Sequence, residues 1–145
     1  MMKNLIVALL ASGAASISVA AELPVSVIDG VVVEEAWAST QPNGVEIYLV
    51  INNRTTSGVG PISIEVPRAS LTGVIRSDGG TFEPTLPPHA ELYMQPGGVR
   101  IEALGLSVGA AVSVTVSIGE SEVTVDAEVL GADELPPDHH DYDHG

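Results

Sequence analysis

The sequence predicts an all-β domain, a β-sandwich or Greek-key barrel of about 7–9 short strands. Three observations carry that prediction. Apolar and polar residues alternate with period two along most of the chain. Clusters of Gly, Pro and Asn cut it at short intervals. After residue 21, no stretch longer than a turn or two shows the stripe of a helix.

The alternation is cleanest near the C-terminus. In AAVSVTVSI, Val112, Val114, Val116 and Ile118 fall on one face, and Ser113, Thr115 and Ser117 on the other. Gly119-Glu120-Ser121 then turns the chain. Val123, Val125, Ala127 and Val129 alternate in ESEVTVDAEV, so the two segments form a hairpin with one face for a core. Earlier candidate strands are VSVIDGVVVEEAWA, VEIYLVINN, GPISIEV, ASLTGVIR, HAELYM and GVRIEAL. They are separated by QPNG, NNRTTSG, SDGG, PTLPP and QPGG, whose residues favour tight turns. Trp37, Tyr48 and the strand hydrophobics are core candidates. The few aromatic residues speak against a sugar-binding surface.

Residues 1–21, MMKNLIVALLASGAASISVAA, read differently. An early Lys3, an apolar run over Leu5–Leu10 and a small-residue close at Ser18–Ala21 give the order of a secretory signal peptide. The apolar part is shorter than the ~20 residues that span a bilayer. The sequence therefore predicts export to the periplasm and a folded domain over residues 22–130, long enough to bury a core without staples. The chain has no cysteine, which excludes disulfides, thiolate metal sites and cysteine nucleophiles. After the signal, four arginines and no lysine face nineteen carboxylates. Nucleic acid is excluded as a partner, because phosphate binding needs clustered Lys and Arg, and no membrane span is expected in the mature chain. The charge suits cations or a basic partner, and equally keeps an exported protein soluble. No Ser/His/acid constellation marks a nucleophile, and GVGP and DGG precede no helix, so they are turns rather than phosphate loops. Nothing here argues for catalysis.

Two stretches resemble the periplasmic copper chaperones of the PCu(A)C family. AWASTQPNGVEIYLVINNRT matches an A-W-A pair (Ala36-Trp37-Ala38), a Pro-Gly loop (Pro42 to Gly44) and a Y-x-x-I-x-N strand (Tyr48, Ile51, Asn52). LPPHAELYMQPGGVRIEALGL matches the family's Pro87, Leu92, Pro96-Gly97-Gly98, Gly105 and Leu106. Order and spacing fit over residues 25–130. The resemblance implies a cupredoxin-like β-barrel, no enzymatic activity, copper as cargo and a partner in cytochrome oxidase assembly.

It also implies a copper(I) site of two His and two Met, a soft set suited to the reduced metal. Carried over position by position, that site is missing. The first His position is Thr72, the first Met falls within Thr81–Glu83, and the His-x-Met pair is Arg100 and Glu102. Arg100 is a permanent cation, ill suited to share a site with copper. Two apart on a strand, Arg100 and Glu102 lie on one face, where an exposed ion pair, with each other or with other strands, would contribute about 0–1 kcal/mol. His89 and Met94, five apart, fall on opposite faces. Met94 reads as core filler and His89 as an exposed loop residue.

Residues 131–145, GADELPPDHHDYDHG, are acidic, broken by Pro and without periodicity, so a disordered tail is expected. It carries His139, His140 and His144 interleaved with Asp138, Asp141 and Asp143. Three or four of these can wrap copper(II), zinc or nickel, which accept nitrogen and oxygen, whereas copper(I) lacks a thioether there. The sequence thus points to an exported copper-handling protein whose metal is held by the tail. The alternative is a metal-free β-sandwich module acting through protein contacts in the periplasm.

Overall fold

The computed structural model describes residues 20–131. Its strands are β1 (Val25–Ile28), β2 (Val31–Gln41), β3 (Gly44–Asn53), β4 (Ile62–Glu65), β5 (Leu71–Ile75), β6 (Glu91–Tyr93), β7 (Arg100–Leu104), β8 (Ala111–Ile118) and β9 (Ser121–Val129). Among the described residues there is no helix. The stretch VSVIDGVVVEEAWA, read from its alternation as one segment, divides at Asp29-Gly30 into β1 and β2. Gly30 takes φ 87°, a value that side-chain-bearing residues rarely adopt.

One sheet holds all nine strands, in the order β4-β8-β9-β2-β3-β7-β5, with β1 beside β2 and β6 beside β3. Every pairing between strands is antiparallel except β2 with β9, where Trp37 and Ala38 run parallel to Glu128 and Val129. The sheet curls until its end strands, β4 and β5, face each other across a seam. The segment before β6 laces this seam. The Phe82 N–H donates to the Val74 carbonyl, the Ile62 N–H donates to that of Pro84, and Val59 and Leu86 exchange both bonds. The result is a barrel-like sheet, the architecture expected from the strand pattern.

The period-two patterns fill this barrel. Val112, Val114, Val116 and Ile118 of β8 and Val125 and Ala127 of β9 are buried, while Ala111, Ser113, Glu122 and Asp126 face solvent. Ile47, Leu49 and Ile51 of β3 and Ile101 and Ala103 of β7 have no exposed surface, and neither has Met94, the core filler of the sequence reading. Fully burying each of these Val, Leu, Ile and Met side chains stabilises the fold by about 1.5–3 kcal/mol. Both faces of β3 are buried: Tyr48 and Val50 point away from Ile47 and Leu49, yet each is only 1% exposed.

Two polar details fix the loops. Asn53, fully buried at the end of β3, donates through Nδ2 to the carbonyls of Ser57 (2.8 Å), Pro87 (3.0 Å) and Leu86 (3.2 Å). Its Oδ1 accepts from the Thr55 N–H (3.0 Å) and hydroxyl (2.7 Å). One amide thereby ties the β3–β4 loop to the segment that laces the seam. At the start of β3, a Cβ on Gly44 would collide with the Ala103 carbonyl oxygen of β7, so only glycine permits this approach.

Candidate functional site

The positions that the family resemblance assigns to copper gather around β5 and β7. Glu102 lies opposite Gly73 of β5 and Glu46 of β3, and Arg100 lies opposite Ile75. Alternation puts Arg100, Glu102 and Glu46 on one face of the sheet. Thr72, opposite the fully buried Ala103, falls on the other. There it joins Thr81, Phe82 and Glu83 along a seam cleft of about 430 Å³, walled by Ile62–Ile64 of β4. The two groups meet in a hollow of about 90 Å³ lined in part by Thr72, Thr81 and Glu102. These positions offer hydroxyls, a guanidinium and carboxylates, with no imidazole or thioether for copper(I). Among the described residues, no three of His, Cys, Asp and Glu come together to hold a metal ion.

Arg100 and its partners form a more enclosed group than the expected surface pair. The guanidinium side chain is 17% exposed, with Nε 3.6 Å from Glu46 and Nη2 3.6 Å from Glu102. Nη1 donates to the carbonyls of Gly98 (2.9 Å) and Arg76 (3.3 Å). Glu46 also accepts the Tyr48 hydroxyl at 2.6 Å, and the Ser39 hydroxyl lies 3.5 Å from the same phenol. Burial, reinforced by the bond to Glu46, pushes the Tyr48 phenol up to about 12. The sequence identified the same-face pair but not Glu46, whose approach depends on the β3–β7 register. The E-I-Y alternation over 46–48 was the available signal for linking Glu46 with Tyr48. Chemically, this assembly is a cluster of one permanent cation, two carboxylates and hydrogen-bonded carbonyls, with no open set of imidazole or thioether ligands. A copper ion placed there would meet the Arg100 charge at close range.

Beyond Tyr48 the same face becomes aromatic. The Trp37 ring packs 5.5 Å from that of Tyr48 and 6.4 Å from that of Tyr93, centroid to centroid. His89 is exposed in the loop before β6, as expected, with φ 60° and its N–H donating to the Thr55 carbonyl. His139, His140, His144, Asp138, Asp141 and Asp143 lie outside the described residues, as does the predicted signal segment up to residue 19.

No family model matches the chain, and no curated protein matches it by sequence. Solved structures do. The barrel is similar to the apo PCuAC domain from PmoF1, with a TM-score of 0.60 and 20% identity over 70% of this chain and 94% of that one. It is similar to the apo PmoF2 PCuAC domain, with a TM-score of 0.62 and 20% identity over 74% and 95% of the two chains. The copper-bound PCuAC domain from PmoF2 gives a TM-score of 0.58 and 22% identity over 69% and 92%. At these identities the likeness is one of fold. The chain carries the PCuAC-domain fold, in agreement with the resemblance read from its motifs.

Proposed function

We propose that this is a non-enzymatic, exported copper-handling protein that holds its metal on the C-terminal His/Asp tail rather than in the barrel. The observation that carries the reading is a mismatch. The barrel shares its fold with a copper-bound PCuAC domain, yet its counterpart positions are Thr72, Thr81–Glu83, Arg100 and Glu102. The only imidazoles of the chain are then the isolated His89 and the tail's His139, His140 and His144. With Asp138, Asp141 and Asp143 beside them, these form a nitrogen and oxygen set for copper(II), with zinc and nickel as competitors. The signal-like residues 1–21 support a periplasmic location, and the resemblance supports a partner in cytochrome oxidase assembly.

The experiment is a titration of copper(I), copper(II) and zinc into the mature chain and into a chain ending at Leu135. The full chain is expected to bind copper(II), and the shortened chain to lose that binding. If the two bind equally, the tail is not the site, and the metal-free protein-contact module becomes the reading. Tight copper(I) binding by the shortened chain would show that the barrel retains a site.

A further inference from the structure

Arg68 is the arginine that the fold leaves without a partner. Arg54 pairs with Glu34, Arg76 lies over the Phe82 ring at 4.4 Å, and Arg100 sits between Glu46 and Glu102. Among the described residues, nothing bonds or pairs with the Arg68 guanidinium, although the chain carries nineteen carboxylates. Its backbone is unusual as well. The Ala69 N–H donates to the Val66 carbonyl at 3.2 Å, closing a turn with Pro67 second and Arg68 third. Arg68 takes φ 75° there, in the left-handed region that turns ordinarily give to glycine or asparagine. The turn is pinned on its far side, where the Ser70 N–H (2.8 Å) and hydroxyl (3.1 Å) both donate to the Leu104 carbonyl. Strain of this kind persists where the surrounding structure holds it, and it clusters at ligand clamps. The Arg68 side chain is exposed, so packing does not account for it.

The side chain stands at a cleft of about 460 Å³ between this turn and the loop after β7, walled by β8 and β9. A space of that size suits a small molecule. Leu106 and Val108 give it apolar surface, and no described carboxylate lines it. Its hydroxyls are those of Ser107, Ser113, Thr115 and Thr124. Ser113 is spent on Asp126 at 3.1 Å, whereas Thr115 and Thr124 bond each other at 2.9 Å and keep one hydroxyl proton between them. A guanidinium, a free hydroxyl donor and apolar walls together suit one anionic group on an apolar body. The carboxylates just outside choose among anions. Asp126 holds Ser113, and Glu65 lies opposite Thr115 in the β4–β8 pairing. They repel a phosphate, with its higher charge, more strongly than a single carboxylate.

We propose that this cleft binds a monocarboxylate with an apolar body, its carboxylate on Arg68 and its chain against Leu106 and Val108. A free aliphatic acid and the C-terminus of an apolar peptide both offer that chemistry. None of the positions assigned to copper takes part.

The test follows amide shifts of the mature chain during titration with hexanoate, hexanamide, inorganic phosphate and N-acetyl-leucyl-leucine. Hexanoate should shift residues 66–70 and 106–113 saturably, with half-saturation at about 1–10 mM for so small a ligand. Hexanamide has the same shape without the charge, and both it and phosphate should bind at least tenfold more weakly. Tighter binding of the dipeptide than of hexanoate would assign the site to a chain terminus, and weaker binding to a free acid. Arg68→Gln should weaken hexanoate at least tenfold. Arg68→Gly should do the same while unfolding at no lower a temperature than the native chain, because glycine accepts φ 75°. Lost binding is thereby separated from lost folding. No saturable shift by about 50 mM hexanoate, or hexanoate binding unchanged in Arg68→Gln, would overturn the proposal. So would hexanamide matching hexanoate, or phosphate binding more tightly than it.

Discussion

Removing the Arg100 side chain should destabilise the barrel without touching its aliphatic core. Arg100→Ala loses two charge-assisted bonds, to the Gly98 carbonyl at 2.9 Å and the Arg76 carbonyl at 3.3 Å. Water can replace part of each, because the site is not sealed, so each contributes about 1 kcal/mol. The ion pairs to Glu46 and Glu102 are long, at 3.6 Å, and Glu102 is 38% exposed, so after solvent screening the two together add about 0.5 kcal/mol. The loss is about 2–3 kcal/mol. Urea unfolding followed by far-UV circular dichroism should show a lower midpoint with an unchanged slope. Thermal unfolding should shift down by roughly 10 °C, given about 4 °C per kcal/mol for a domain of this size. Arg100→Lys keeps the charge but not the planar fork, and should recover less than half of the loss. A change below about 0.5 kcal/mol in Arg100→Ala would place the residue among ordinary solvated surface charges, and the description of an enclosed cluster would be wrong.

The Tyr48 phenol, pushed up to about 12 by burial and by Glu46, makes the fold sensitive to alkali. Unfolded tyrosine loses its proton near pH 10, so the folded state holds that proton more tightly. The contribution is intact below pH 10 and is lost as pH rises toward 12, at up to about 1.4 kcal/mol per pH unit. Comparing unfolding of the native chain and Tyr48→Phe between pH 9 and 12 isolates it, and parallel pH profiles would refute it. Asn53→Ala removes five hydrogen bonds of one buried amide and should cost about 3–5 kcal/mol. Faster hydrogen exchange in residues 54–60 and 84–90 is its expected signature, and an exchange increase spread evenly over the chain would contradict the clamp.

The strands were legible because each carries its own period. β8 and β9 alternate so strictly that their turn at Gly119-Glu120 and their buried positions follow residue by residue. The division of the first stretch into β1 and β2 was harder, because Val27, Val31, Val32 and Val33 are all buried and Asp29-Gly30 is a short interruption. The Trp37–Ala38–Tyr48 neighbourhood could be placed from its motif. The partners of Arg100 could not, since Glu46 reaches it only through a pairing of β3 with β7 that no local pattern encodes. Asn53 carried no sequence signal, because its burial is decided by what packs over it.

The parallel contact of β2 with β9 governs when this chain can fold. Trp37 meets Glu128 about ninety residues later in the sequence, one of the longest closures a domain of this size can make. Until β9 emerges, β8 and the Trp37–Ala38 edge of β2 both present unpaired backbone. A chain interrupted before Ser121 therefore carries two sticky edges at once, and its hazard is association with copies of itself rather than loss of a metal.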